Sequence, residues 1–424
     1  MKFITIILLS ISILLANALQ ESINKAKPYS LIRLSKGVYS GNIIIDKPLT
    51  IEGKDRGVII RGDGNSTVIT INSSNVTLKN LTISHSGDKF YNIDSAIRMN
   101  RCKECVIDRC RIEDSLYGID MNMVSDSNIT NSFITSNNRE IEFRGNALKL
   151  YYASNNLFSN NTIQKSRDTT LNYSNHNLFK NNRFIENRFA THLSLSHSNI
   201  FRDNLYQYNS VAIMIMGAKD TKVISNQILS SKGASGIGVL INGVADFRFE
   251  HNIVKFNAQG LYIEGGEKAK GMKRYIINNQ ISYNKEAIHF HQSIKDNTMT
   301  HNKIVGNIED IIKDLPSKRE SSNIIEYNYW DRYEGFDNNG DNIGDTPHRV
   351  YQYANSLWQY NHNVKFFYAS PIMSLLNFIS ELAPFIEPNM LLEDKKPYMM
   401  SAENLLESTE FYHNLVYFFL VNSL

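Results

Sequence analysis

The sequence is poor in proline, cysteine and net charge, and these shortages limit its folds and functions. Only 8 of its 424 residues are proline, which suits a chain of stacked strands because proline cannot donate a hydrogen bond to a sheet. Lysine and arginine number 45 against 42 acidic residues, a net charge of +3. That charge is too small to indicate a nucleic-acid or membrane-surface partner. No basic run alternates with aromatic residues, so we set nucleic-acid binding aside.

Cysteine occurs at Cys102, Cys105 and Cys110 only. An exported protein permits a disulfide, which would leave one thiol over. Cys102 and Cys105 have the CxxC spacing of a metal or redox pair, but no second pair and no nearby histidine completes a zinc site. Cys110 lies on a strand of alternating apolar residues, so we expect it in the core.

Residues 1–18 have the pattern of a secretory signal peptide. Lys2 supplies a positive start, Phe3–Leu15 is almost wholly apolar, and Ala16-Asn17-Ala18 is a small-x-small cleavage pattern. The apolar run is too short for a comfortable membrane span. We predict export to the periplasm with Leu19 as the first mature residue. An uncleaved membrane anchor is the alternative.

A repeated phrase organises the middle of the chain: asparagine, any residue, then an aliphatic or aromatic one. It recurs every 21 to 27 residues, with copies beginning at Asn161, Asn182, Asn204, Asn226, Asn252, Asn279 and Asn302. This period, with apolar runs too short for helices, is typical of a parallel β-helix with one coil per repeat. We expect the asparagines at bends, because Asn tolerates left-handed backbone and can hydrogen-bond its counterpart in the next coil.

A second phrase sets the register of the coils. A small residue precedes each alternating strand, as in Ala190-Thr191-His192-Leu193 and Ala212-Ile213-Met214-Ile215. Period-two alternation places the first and third residues after the small one inside the coil, so Ile213 should stack on Thr191 and beneath Val239. The predicted fold is an all-β, right-handed, single-stranded parallel β-helix of roughly ten coils, followed by a helical tail.

Changes of pattern divide the chain into five predicted segments. They are the signal peptide 1–18, an N-terminal cap 19–29 with a short amphipathic helix, the solenoid 30–327, a terminal coil and acidic loop 328–369, and a helical docking tail 370–424. The tail is predicted because Ile372, Leu375, Leu376, Ile379 and Leu382 recur at helical spacing. A further apolar helix is predicted after Ser401.

The outward positions of five successive coils carry an unusual set of side chains. Among them are His192, Met214, Met216, His289 and His291. Thioethers and imidazoles are the ligands that hold Cu(I). Alternate residues of a strand are ~6.6 Å apart and adjacent coils ~4.8 Å apart, so His192, Met214 and Met216 could converge on one ion. The alternative is a hydrophobic patch for a partner or a covering loop.

An acidic loop near the end of the solenoid offers a second metal candidate. Asp337, Asn339, Asp341 and Asp345 present oxygen ligands suited to calcium. The loop is not an EF-hand, because its glycine falls at the fourth position and His348 stands where the final glutamate should be. Plain turn chemistry is the alternative.

A set of short motifs closes the chain between about residues 328 and 397. They are Asn328-Tyr329-Trp330-Asp331, Gly335-Phe336-Asp337, Gly340-Asp341-Asn342-Ile343-Gly344-Asp345-Thr346-Pro347, Ser356-Leu357-Trp358, Ser370-Pro371, Leu382-Ala383-Pro384-Phe385 and Leu391-Leu392-Glu393-Asp394-Lys395-Lys396-Pro397. Together with the preceding solenoid, these motifs resemble the NosD family, the periplasmic maturation factors of nitrous oxide reductase.

The resemblance implies a periplasmic subunit of a membrane ABC transporter, with a NosY-like membrane subunit and a NosF-like ATPase. It also implies help in delivering copper or sulfur to the copper–sulfide centres of the reductase, with a NosL-like copper chaperone as donor. The chain has no GxxxxGK[ST] phosphate loop, so ATP hydrolysis would belong to a partner.

The alternative function is a carbohydrate-active enzyme, either a polysaccharide lyase or an epimerase. Such an enzyme needs clustered carboxylates with Arg or Lys on one outward strip. Asp120, Lys149 and Glu264 fall on different coils of that strip, and we interpret them as scattered. We therefore predict that the chain is not an enzyme. A structural adhesin is a third option, which the helical tail argues against.

Overall fold

Parallel strands stack into three long sheets, and each coil except the last contributes one strand to each sheet. The computed structural model describes residues 18–137, 139–233, 235–264, 273–314, 322–352, 370–382 and 389–400. Sheets 1 and 2 have 13 strands each and sheet 3 has 12. The predicted all-β parallel solenoid is therefore confirmed, with more coils than expected. Residues 1–17 of the predicted signal peptide and the predicted helix after Ser401 lie outside the described residues.

The strands of the solenoid are short and evenly spaced. Sheet 1 consists of Ser30–Leu34, Leu49–Gly53, Thr77–Lys79, Val106–Asp108, Asn128–Thr130, Leu157–Ser159, Leu178–Lys180, Ile200–Arg202, Lys222–Ile224, Phe247–Glu250, Arg274–Ile277, Asn297–Thr300 and Ile324–Glu326. Sheet 2 consists of Gly37–Ser40, Val58–Arg61, Thr82–Ser84, Arg111–Glu113, Phe133–Thr135, Thr162–Gln164, Arg183–Ile185, Leu205–Gln207, Gln227–Leu229, Ile253–Lys255, Gln280–Ser282, Lys303–Val305 and Tyr329–Trp330. Sheet 3 consists of Ile43–Ile45, Ile69–Ile71, Ser95–Asn100, Tyr117–Asn122, Leu148–Tyr151, Asp168–Asn172, Phe189–Ser194, Val211–Met216, Ile237–Asn242, Gln259–Glu264, Glu286–Phe290 and Glu309–Lys313. Two 3-10 helices, Phe90–Asn92 and Ile141–Phe143, interrupt the loops between sheets 2 and 3.

The core fills the inside of the coils in the predicted register. Ile213 pairs with Thr191 on one side and with Val239 on the other, and all three are buried. Aromatic side chains stack along the axis, with ring centroids 4.4 Å apart between Phe158 and Phe179. Each inward side chain therefore packs against its counterparts in the coils above and below.

The repeated asparagines form a hydrogen-bonded ladder inside a corner of the solenoid. The Oδ1 atom of Asn204 accepts from the backbone N–H of Asn182 at 2.8 Å and from its Nδ2 at 3.0 Å. Nδ2 of Asn204 donates to the carbonyl of Phe179 at 2.9 Å. This satisfies backbone groups that the bend removes from the sheet ladders. The left-handed residue is the one before each ladder asparagine, as at Asn181 and Asp203, so the expectation that the ladder residue itself is left-handed was wrong.

The N-terminal end is covered by a helix over residues 18–25. Its apolar face carries Leu19 and Ile23, which are buried against the first coils. Lys47 fastens the end of the segment by donating from Nζ to the carbonyls of Asn24 and Ala26 at 2.9 and 3.1 Å. A covered end prevents the first strands from presenting unpaired edges.

The C-terminal end is covered by an antiparallel hairpin of His348–Gln352 and Asn389–Asp394. Asp394 is fully buried. Its Oδ2 atom accepts from the backbone N–H and Nδ2 of Asn328 at 3.1 and 2.9 Å, and from Trp330 Nε1 at 3.0 Å. The predicted helical tail begins as expected with the helix Pro371–Leu382. The segment Asn389–Asp394 is a strand, so this part of the tail belongs to the cap.

All three cysteines are free and buried. Cys110 lies in the core as predicted, and burial raises its pKa to about 12. A hydrogen bond between Cys102 and Cys105 raises the pKa of Cys102 and lowers that of Cys105. Cys105 Sγ also lies 3.5 Å from the carbonyl oxygens of Ser73 and Lys103, to which it can donate.

Candidate functional site

Sheet 3 carries the predicted strip on its outward side. The first row of paired positions is His192, Met214, Leu240, Tyr262 and His289. The second row, two residues further along each strand, includes Ser194, Met216, Asn242 and Glu264. The strand register places these side chains as the sequence predicted.

His192 and the two methionines are neighbours on adjacent strands. His192 pairs with Met214, and Met216 follows two residues later on the same strand. The Nε2 atom of His192 is buried and has no hydrogen-bond partner. Burial lowers the pKa of His192 below its usual 6.5, so the imidazole is neutral at pH 7. A neutral imidazole beside two half-buried thioethers is a donor set that suits Cu(I).

His289 and His291 lie in a carboxylate network instead. Nδ1 of His289 lies 2.6 Å from Glu286 Oε2, and its Nε2 lies 3.1 Å from Asp314 Oδ2. Asp314 Oδ2 also lies 3.1 Å from His291 Nδ1. Burial opposes protonation, but the carboxylates of Asp314 and Glu286 beside the ring outweigh it and raise the pKa of His289 to about 9. His289 is therefore an imidazolium at pH 7, with no lone pair to offer a metal.

The five predicted ligands do not converge on one site. Four coil steps separate His192 from His289, a distance of ~19 Å at the spacing of adjacent strands. Leu240 and Tyr262 occupy positions between them. Throughout the described ranges, no three His, Cys, Asp or Glu side chains are placed to hold a metal ion. A copper site on this strip is thus limited to His192, Met214 and Met216.

The acidic loop uses its oxygens on its own backbone. Asp337 accepts from the N–H groups of Gly340 at 2.7 Å and Asn342 at 2.8 Å. Asp341 Oδ1 accepts from the Ile343 N–H at 2.8 Å, and Asp345 Oδ2 accepts from the Asn338 N–H at 2.9 Å. Asn339 Oδ1 likewise accepts from the Asp341 N–H. These side-chain oxygens accept hydrogen bonds within the loop and so form its turns. A turn was the alternative interpretation of this loop to a calcium site.

A charged cluster on earlier coils was missed by sequence reasoning. Asp120 lies 3.3 Å from both Arg98 Nε and Lys149 Nζ. On the coil after that of Lys149, Asp168 accepts from Arg188 Nε at 2.9 Å. The interpretation of Asp120 and Lys149 as scattered was therefore wrong. Register could have revealed the cluster, because Arg98, Asp120 and Lys149 occupy paired positions on three adjacent strands.

The helix Pro371–Leu382 presents an apolar stripe to solvent. Ile372, Leu375 and Ile379 are 63%, 57% and 41% exposed. Their spacing places them along one side of the helix. Of the helices in the described part of the chain, none has the length and apolar character needed to cross a membrane.

The stacked sheets and covered ends define the class of the protein as a parallel β-helix. The family described as "Periplasmic copper-binding protein (NosD)" matches residues 131–335. A relative from Stutzerimonas stutzeri named "Probable ABC transporter binding protein NosD" is 24% identical over 389 residues, covering 88% of this chain and 88% of the relative. One of the same name from Pseudomonas aeruginosa is 23% identical over 369 residues, covering 83% and 84%. The predicted resemblance to the NosD family is therefore confirmed.

Solved structures share the fold at low sequence identity. The A-module of the mannuronan C-5 epimerase AlgE6 from Azotobacter vinelandii superposes with a TM-score of 0.56 and 13% identity, covering 74% of this chain and 94% of that one. An N-terminal fragment of bacteriophage Phi29 gene product 12 gives 0.55 and 12%, covering 74% and 68%. These two likenesses concern the fold alone, because one fold hosts unrelated functions.

Proposed function

We propose that this chain is a periplasmic accessory protein for maturation of the copper centres of nitrous oxide reductase. Its partners would be an ABC transporter with NosY-like and NosF-like subunits, the reductase itself and a NosL-like copper chaperone. The names of the family and the two relatives support this assignment. The observation that carries it is the soft donor set of His192, Met214 and Met216, which lies inside the family-matched stretch. We assign the chain no catalytic role.

Copper would be cargo on this surface, and the strand geometry favours transfer. Two thioethers and one imidazole bind Cu(I) without the charge of thiolate ligands. The donors remain half-buried, so an incoming chaperone or reductase ligand can reach the ion and exchange with them. Sheet pairing on both sides fixes the spacing of the strands that carry the donors. Sulfur delivery is the alternative cargo for the same assembly.

The copper role is tested by replacing Met214→Leu together with Met216→Leu. Leucine keeps similar volume and apolar character but lacks the sulfur. The affinity for Cu(I) should fall by about tenfold or more, about 1.4 kcal/mol or more of binding free energy. The measurement is anaerobic titration of Cu(I) against a competing chromogenic chelator.

Met123→Leu is the matched control, because Met123 is also exposed on this solenoid but lies outside the donor set. It should keep the wild-type affinity. Equal affinity in the double variant and the wild type would contradict the copper role. A parallel pull-down of the reductase and chaperone separates copper binding from docking, because a docking patch should tolerate leucine.

We place the contact with the transporter membrane subunit on the helix Pro371–Leu382. Its exposed stripe of Ile372, Leu375 and Ile379 supports this choice, since exposed apolar patches mark interaction surfaces. Within the predicted docking tail 370–424 we choose this helix, because Asp394 holds the strand Asn389–Asp394 in the cap.

Leu375→Asp together with Ile379→Asp should abolish co-purification with the membrane subunit. The solenoid should keep its melting temperature, because neither side chain is buried in it. Phe256→Asp provides the control, as Phe256 is 58% exposed on a corner of the solenoid. Co-purification that survives the helix substitutions would locate the contact elsewhere.

A further inference from the structure

Sheet 3 carries a second outward surface that runs from the strand of Arg98 to the start of the strand that carries His192. It contains a basic cluster of Arg98, Asp120, Lys149, Arg167, Asp168 and Arg188. The four cations face two carboxylates, so the cluster keeps two positive charges. None of its side chains is a proposed copper donor, although the charges of Asp168 and Arg188 act on His192.

The carboxylates of the cluster position its cations. Asp120 is only 4% exposed and lies between Arg98 and Lys149. Asp168 is held by both nitrogens of the Arg188 fork, at 2.9 and 2.5 Å. The Arg167 Nε atom stays 3.8 Å from Asp168 and is buried without a hydrogen-bond partner. A buried N–H group without a hydrogen-bond partner, such as Arg167 Nε–H, is stabilised when an anionic acceptor binds to it.

Aromatic rings continue the surface where the strands of sheet 3 end. Tyr152 and Tyr173 stack with their centroids 5.1 Å apart and an interplanar angle of 11°. Tyr151 meets Tyr152 edge-on at 4.7 Å. Lys149 Nζ lies 5.9 Å from the centroid of the Tyr151 ring, so the rings adjoin the basic cluster. Tyr152 and Tyr173 are 48% and 43% exposed.

Side-chain amides occupy the row between the cations and the rings. Asn100 pairs with Asn122, and Asn122 pairs with Tyr151, which in turn pairs with Asn172. An amide both donates and accepts hydrogen bonds, which is what recognition of sugar hydroxyls requires. Cations, amides and flat rings therefore follow one another across the same strands.

We propose that this face of sheet 3 binds an acidic polysaccharide. Its carboxylates would pair with Lys149 and Arg167, its hydroxyls with the amide row, and its pyranose faces with Tyr152 and Tyr173. A polyglutamate peptide would use the cations and could hydrogen-bond the amides through its backbone, but it has no pyranose face to pack on the tyrosine rings. The proposal concerns binding, and no bond is made or broken. It is independent of copper handling, because none of these residues belongs to the copper donor set.

The test is calorimetric titration of the full chain with a uronate hexamer, a neutral glucose hexamer and a polyglutamate peptide of equal length. We expect saturable binding of the uronate that weakens with added salt, and little binding of the neutral sugar. Lys149→Met with Tyr152→Asn and Tyr173→Asn should weaken uronate binding by about tenfold or more. Asparagine suits these two positions because both tyrosines have left-handed backbone.

The matched control is Lys222→Met with Phe256→Asn and Tyr283→Asn. Phe256 and Tyr283 form another exposed stack, at 5.8 Å and 12°, and also have left-handed backbone. If the triple variant does not fold, the uronate titration is made with the single variant Tyr173→Asn, and its result decides the proposal. Absence of uronate binding, equal loss in the control, or tighter binding of polyglutamate would each overturn the proposal. Cu(I) titration of the same variant should match the wild type whatever the outcome.

Discussion

Replacing His289→Gln should remove a pH-dependent part of the free energy of unfolding. The pKa of His289 is about 9 in the folded chain against an ordinary value of 6.5. Each pKa unit corresponds to about 1.4 kcal/mol, so the protonated imidazole contributes about 3 kcal/mol. The folded state binds this proton more tightly than the unfolded state. The contribution is therefore complete below pH 6.5 and is lost as the pH rises to about 9.

Chemical unfolding of wild type and variant between about pH 6 and about pH 9.5 provides the measurement. The wild type should lose about 3 kcal/mol more than His289→Gln across this range, because other titrating groups are common to both proteins. At the acidic end the variant should be less stable, since Glu286 and Asp314 then lack the cation between them. His251→Gln, at an exposed corner, should follow the wild type. Parallel pH profiles for His289→Gln and wild type would refute the reasoning.

Three further predictions concern the core, the cap and export. Ile215→Asp should unfold the solenoid, because a buried unpaired charge costs several kcal/mol; a native circular dichroism spectrum would contradict this. Asp394→Ala should cost about 3 kcal/mol and expose the C-terminal hairpin to protease, because Asn328 and Trp330 lose a charged acceptor. Unchanged protease resistance would contradict the conclusion that Asp394 holds the C-terminal hairpin on the solenoid. Mass spectrometry of the periplasmic protein should find Leu19 at the amino terminus, and a full-length chain in the membrane would contradict the cleavage site.

The coil period and the side of each strand that faces inward can be read from the amino-acid pattern alone. Once parallel strands are stacked, the register between neighbouring strands remains to be defined. The small residue that precedes each strand defines it. The position of Ile213 against Thr191 and Val239 therefore follows from the sequence alone. The same logic put His192 beside Met214, because paired positions on adjacent strands have a fixed spacing.

The partners of the outward polar groups, in contrast, depend on how the coils fold together. His289 was predicted as a metal ligand, yet Asp314 and Glu286 hold it as a cation. Asp314 is 25 residues away in sequence, and stacking of the next coil brings it there. The strand Asn389–Asp394 has the same origin, because its partner His348–Gln352 lies some 40 residues earlier. The alternation of apolar and polar residues along a strand predicts which side of the strand is buried. Hydrogen-bond partners depend instead on side-chain positions that only the folded coils define.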